Sequence, residues 1–283
     1  MAGIFSDLEK LGIGNIGNVF EDEAASKNNK TEKAKEKTPE EIEAEMLFDK
    51  SYTCPVCDKE YTVKAVRAGK VKMVGSDTDL RVKYGNIDIN KYDALVCPRC
   101  GYAALSRYYS LTTQPQRKLI KEQIGANFKG LPAASGPIVT YDEAMMRMKL
   151  VLANAVVKKA RNSEKAYICL KMAWLVRGRT EALENTEKLT ADKAAALHAE
   201  ELEYTKQAYT GFVSAVQSET FPMCGMDEMT VVYLMADLAR RTGEYDQALK
   251  FLSEVIVSKT AQGRLKERAR ELKNLIAENK QEG

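Results

Sequence analysis

Residues 97–110 read CPRCGYAALSRYYS: two cysteines two residues apart, a glycine directly after, then a run carrying three tyrosines and an arginine. A similar knuckle, CPVC, occurs upstream at Cys54 and Cys57, with residues 58–96 between the two. A CPxC turn aims backbone N–H groups at its sulfurs, and two such turns face to face offer four thiolates to one tetrahedral ion. Cys54, Cys57, Cys97 and Cys100 are therefore predicted to hold a structural zinc ion, with no coordination position left for a catalytic water. A redox CxxC instead needs one pair at a helix start, where the dipole lowers one thiol's pKa; two matched knuckles with proline in each argue against it. Four thiolates are also the donor set of a rubredoxin-like iron site. The spacing further predicts a helix over 103–110 leaving the second knuckle, with Tyr102, Leu105 and Tyr109 on its packing face.

Upstream, from Phe48 to about Tyr84, the stretches YTVKAV and VKMVG are rich in β-formers and separated by Gly69 and Gly75, which predicts a small β-rich module. Thr38, Pro39 and Glu41 form a helix start with an N-cap, a proline at the first position and a capping-box glutamate. The tract EDEAASKNNKTEKAKEK offers almost nothing to bury and reads as a disordered linker, behind a terminal stretch with apolar Ile4, Phe5, Leu8 and Leu11. Downstream the period is helical almost to the end, near 115–128, 141–161, 163–178, 190–218, 229–242, 246–258 and 263–280, with one Pro/Gly-rich break, KGLPAASGP, at 129–137. The expected class is α+β, mainly α: a flexible arm and charged linker over 1–45, a four-cysteine zinc-ribbon-like module with its following helices over 46–130, and a helical-hairpin domain over 138–283.

Within the helical part, VVYLMADLARRTGEYDQALKFLSEVI (231–256) resembles one tetratricopeptide unit, with Ala236 and Ala248 at the close helix approaches and a Gly243-x-Tyr245 turn. Tyr141-Asp-Glu-Ala144 and Ala208/Phe212/Ala215 echo it at irregular spacing. On the helix over 229–242, Val231, Leu234, Met235 and Leu238 are expected on the buried stripe, leaving Asp237, Arg240 and Arg241 for solvent or a partner.

Other chemistry is sparse. Cys169 lies in an apolar helix and reads as a small core residue, and Cys224 sits on a turn. His198, the single histidine, falls on a charged helix and reads as a surface residue. The pair Asp77 and Asp79 in DTDLR suits cation or acid–base work but is more often turn chemistry. No phosphate-binding glycine loop, nucleophile elbow or HExxH occurs, so the sequence gives no positive sign of an enzyme. With 43 Lys+Arg against 40 Asp+Glu among 283 residues, a formal charge of +3 implies no strong polyanion field. The N-terminal stretch lacks a signal-peptide pattern and no stretch is apolar for long enough to span a membrane, so a cytoplasmic protein is expected.

The motifs FDKSYTCPVCDKEY, DTDLR, KYDALVCPRCGYAALSRYY, EKAYICLKMAWLVRG and TFPMCGMDE, in that order, resemble the uncharacterised bacterial family catalogued as domain of unknown function 2225, over roughly residues 46–260. The resemblance implies a cytoplasmic protein with a zinc-ribbon-like start and tetratricopeptide-like helices, and brings no established activity. The expected role is a non-enzymatic scaffold binding a protein or peptide. The alternatives are a nucleic-acid-associated regulator using Arg67, Lys70, Lys72, Arg81 and Lys83, and, more weakly, an enzyme working through the 75–84 loop or Cys224.

Overall fold

Thr38 begins the described chain's first helix as its sequence requires. Its hydroxyl accepts the Glu41 N–H at 3.2 Å and the Glu41 carboxylate accepts the Thr38 N–H at 2.9 Å, closing a capping box on α1 (Pro39–Glu45). The computed structural model describes residues 37–281, so the expected arm and linker up to residue 36 lie outside the described residues.

Three two-stranded antiparallel hairpins follow: β1 (Leu47–Thr53) with β2 (Glu60–Val66), β3 (Met73–Ser76) with β4 (Val82–Tyr84), and β5 (Ala94–Val96) with β6 (Ala103–Leu105). The expected strands in YTVKAV and VKMVG are β2 and β3. The helix expected over 103–110 is absent. Ala103–Leu105 pairs with Ala94–Val96 across the second knuckle, and only Ser106–Tyr108 makes a short 3₁₀ turn. Closing the cysteine turn delivers Tyr102 opposite Cys97, whose N–H donates to the Tyr102 carbonyl at 2.8 Å, and this ladder holds the next three residues extended. Tyr102, Leu105 and Tyr109 are nonetheless buried, as expected.

The rest is helical: α2 (Gln114–Ile120), α3 (Tyr141–Val157), α4 (Asn162–Asn185), α5 (Ala191–Ser218), α6 (Glu228–Arg241), α7 (Tyr245–Val257) and α8 (Gly263–Gln281). The chain is α+β, mainly α. Helix α4 runs past the expected end at 178 to Asn185 and lies along α5. Gly211 of α5 permits that approach, because a Cβ there would stand 2.8 Å from the Cβ of Ala166. Ala236 and Ala248, also fully buried, allow α6 and α7 the same closeness.

The β5–β6 hairpin is buried on both faces. Alternation sends Ala94, Val96, Ala103 and Leu105 into a core with Met148, Val151 and Ala155 of α3 and Ile168, Met172 and Leu175 of α4. Leu95, Tyr102 and Ala104 turn the other way, into a cluster with Cys54, Cys97, Tyr61 and Tyr109. The cysteine region and the helices therefore share one wall. Two further cores stack outward, the first joining α4, α5 and α6, the second α6, α7 and α8. Helix α6 is enclosed by both. Val231, Leu234, Met235 and Leu238 are buried as expected, but Asp237, expected at the surface, is fully buried, since the β3–β4 turn covers that side of the helix. Its carboxylate accepts the Thr78 hydroxyl at 2.8 Å and pairs with Arg240 at 2.7 Å and Arg241 at 2.8 Å.

Candidate metal centre

The two knuckles are built alike. In the first, Cys54 N–H donates to the Lys59 carbonyl and Asp58 N–H to the Cys54 carbonyl; in the second, Cys97 N–H donates to the Tyr102 carbonyl and Gly101 N–H to the Cys97 carbonyl. Each ends on a residue with positive φ, Asp58 at 58° and Gly101 at 69°. Aspartate tolerates that conformation and glycine adopts it freely. Glycine is also required at 101 for space, because a Cβ there would stand 2.6 Å from the Phe128 ring.

The hairpins bring the four sulfurs of Cys54, Cys57, Cys97 and Cys100 within 4.8 Å of one another, with cross-knuckle separations of 3.6 Å for Cys54–Cys100 and for Cys57–Cys97. Four ligands about 2.3 Å from a central zinc ion are about 3.8 Å apart at tetrahedral angles, so the spacing suits one ion. It is far from the bond of about 2.05 Å that a disulfide needs. Cys54 and Cys97 are fully buried, and Cys57 and Cys100 half-buried. Without a cation the four cannot ionise together. The Cys100 thiol's hydrogen bond pulls the Cys54 pKa down to about 5, that same bond raises the pKa of Cys100, and burial raises that of Cys97. A bound cation would favour the thiolate form of all four. Tyrosines 52, 61, 102 and 109 wall the cluster, with neighbouring ring centroids 5.0–6.3 Å apart.

The other candidates fall elsewhere. His198 is exposed on α5 and Cys169 is buried in the α4–α5–α6 core. Cys224 sits at φ 51°, its thiol donating to the Ser163 carbonyl at 3.2 Å; burial raises its pKa even though Arg107 lies close by, donating to the Cys224 carbonyl. Such a thiol is a poor nucleophile. Of the five basic residues considered for nucleic acid, Arg81 is buried against Glu181 at 2.5 Å and Asp77 at 2.7 Å, and Lys83 pairs with Glu181 at 2.9 Å.

Asp77 and Asp79 are neither simple turn formers nor an exposed carboxylate pair. The β3–β4 turn plunges between helices. Asp79 accepts the Trp174 indole N–H at 3.0 Å and a two-pronged Arg177 contact at 3.0 and 2.7 Å. Arg177 reaches Asp77 at 2.9 Å and Glu201 at 2.7 Å, and Arg241 lies 3.7 Å from Asp79. Arg268 of α8 donates to the Asp77 carbonyl at 2.9 Å. One five-residue turn thus ties together α4, α5, α6 and α8. Burial works to raise the Asp79 pKa, but the Arg177 charge and hydrogen bonds, Arg241 and Trp174 outweigh it and hold the carboxyl down to about 2. The sequence carried no local signal for these partners, which lie 95 to 98 residues away for Trp174 and Arg177.

A mainly helical chain with four convergent cysteines in paired knuckles, placed so that they could hold one metal ion, is the class that fold and site define. The chain belongs to the bacterial family described as "uncharacterized protein conserved in bacteria (DUF2225)", whose family model matches residues 47–276. No curated protein and no solved structure matches it.

Proposed function

We propose that the protein is a zinc-stabilised cytoplasmic scaffold whose metal module, over 46–130, braces a helical-hairpin part, over 138–283, that binds another protein. The observation that carries the reading is the closed set of four convergent thiols, which leaves an ion no position for substrate and makes its role architectural. Consistent with this, no helix among the described residues is long and apolar enough to cross a membrane.

For the partner, the open cleft of about 740 Å³ between the 76–78 turn, Tyr233 and α8 offers a charged rim of both signs, with Arg264, Glu267 and Glu271 exposed along it. A groove beside a helix of this kind accepts an extended or helical segment. The nucleic-acid reading has less support, since Arg81 and Lys83 are neutralised by carboxylates.

Purified protein grown with zinc and iron both supplied is expected to contain one zinc per chain by elemental analysis; iron in its place refutes zinc as the ion, and metal-free protein that is fully folded refutes the centre. Reversing the rim with Arg264→Glu and Glu271→Lys in the full chain is expected to abolish crosslinking to a partner in the native bacterium while leaving the metal content intact. An unchanged crosslinking pattern removes this groove from the reading.

A further inference from the structure

A second cleft, of about 460 Å³, opens between β2, β5, the 131–139 segment and α3, with Pro98 of the second cysteine knuckle and Tyr61 also on its lining. Val63, Val96, Leu131 and Ile138 give it an apolar lining, and Arg147 of α3 lies among them. The Arg147 Nε is buried with no hydrogen-bond partner, and the guanidinium makes no ion pair with any described residue. The nearest candidate, Glu143 one turn earlier, is committed elsewhere. It accepts the Ser135 N–H and hydroxyl at 2.9 and 3.0 Å and the Thr140 N–H and hydroxyl at 2.9 and 3.1 Å, closing the N-cap of α3. Two further charges on the lining, Lys64 and Asp49, neutralise each other at 2.9 Å. The Glu143 charge one turn away favours the cation but gives it no hydrogen bond, so a half-buried guanidinium bears its desolvation with no directly bonded anion among the described residues, which costs the fold stability unless something else supplies one. Burial accordingly pushes the Arg147 pKa down.

We infer that this cleft is a binding site for a small organic monocarboxylate with an apolar body, whose carboxylate pairs with the Arg147 guanidinium while the body lies against Val63, Val96, Leu131 and Ile138. A planar guanidinium matches a carboxylate with two parallel hydrogen bonds. A phosphate dianion fits less well, because Glu143 keeps its charge on the same lining and one guanidinium cannot balance two further negative charges. The volume lies toward the lower end of the range of about 300–1,000 Å³ for small-ligand sites, which favours a free acid over a folded partner. The inference does not rest on the scaffold reading, and its test reads acid binding rather than partner capture.

Isothermal titration of the zinc-loaded full chain with 4-methylpentanoate, octanoate and 4-phenylbutanoate is expected to show saturable one-to-one binding of at least one acid. The matching amide should bind at least tenfold more weakly. Arg147→Met should abolish binding yet leave the melting temperature unchanged or raised, since it removes a half-buried cation that no described carboxylate bonds; a structural arginine would give a fall. Arg147→Lys, which keeps the charge and loses the fork, should bind several-fold more weakly. Amide binding equal to acid binding, undiminished affinity in either variant, a melting temperature lowered by several degrees in Arg147→Met, or no binding of any of the three acids at millimolar concentration each overturns the assignment. If acetyl-Ala-Ala-Phe binds through its terminal carboxylate and none of the free acids does, the small-molecule ligand is refuted in favour of a polypeptide end.

Discussion

Cys97→Ser is expected to abolish the metal binding proposed for the four thiols and to unfold the β-hairpins at the start of the described chain. Apparent binding free energies of structural zinc in small domains run to about 10–16 kcal/mol, comparable with the whole stability of an ordinary domain of about 5–15 kcal/mol. Cys97 is fully buried and follows directly on β5, so losing its thiolate breaks the join between the two knuckles. Damage should then pass through β5–β6 to the face of α3 carrying Met148, Val151 and Ala155, while the α4–α5–α6 and α6–α7–α8 cores keep their own contacts. Limited proteolysis of the variant should cut first between residues 46 and 105, with retained helical circular dichroism. A Cys97→Ser protein that keeps its zinc and melts like wild type would sink the metal centre.

Asp79→Ala is expected to cost about 3–5 kcal/mol, the range for removing one partner of a buried ion pair, because it strands the Arg177 guanidinium and the Trp174 indole N–H together. Much of that cost is the charge left behind, so combining Asp79→Leu with Arg177→Met should recover a large part of it, a non-additivity that a double-mutant cycle by urea denaturation measures. The same carboxylate sets an acid limit. Its folded pKa near 2 lies below the unfolded value of about 3.9, so its contribution is fully present above pH 4 and is lost as pH falls from about 4 toward 2. That contribution is of order 2 kcal/mol, and Asp79→Asn should flatten the acid limb of the stability profile by a similar amount. A cost below about 1 kcal/mol for Asp79→Ala would show that the turn is held by something else.

These two sites differ in how far the sequence betrays them. The cysteines announce themselves because each knuckle is a local motif and two matched motifs imply one ion, and the Thr38–Glu41 box marks its helix start from four residues alone. Ala103–Leu105 misleads because Tyr102, Leu105 and Tyr109 fall at helical spacing, whereas pairing to β5 imposes the extended backbone. Asp237 misleads for a related reason. Its own helix places it opposite the apolar stripe, and only the distant β3–β4 turn, which brings Thr78 onto it, makes that face interior. Arg147 sits at an ordinary position on an amphipathic helix. That no described carboxylate bonds it becomes visible only when Glu143 is seen capping α3.

The tie between Asp77 and Arg268 bridges 191 positions of sequence. During synthesis the chain emerges from its N-terminus, so the β3–β4 turn is made long before Arg177 and Arg241, whose charges neutralise its carboxylates, and before Arg268, which bonds its backbone. Until then its carboxylates have no interior to enter, and the turn must wait in water. The lock closes only when almost the whole polypeptide has been released, and a messenger shortened before α8 would leave its mark at a loop encoded near the opposite end.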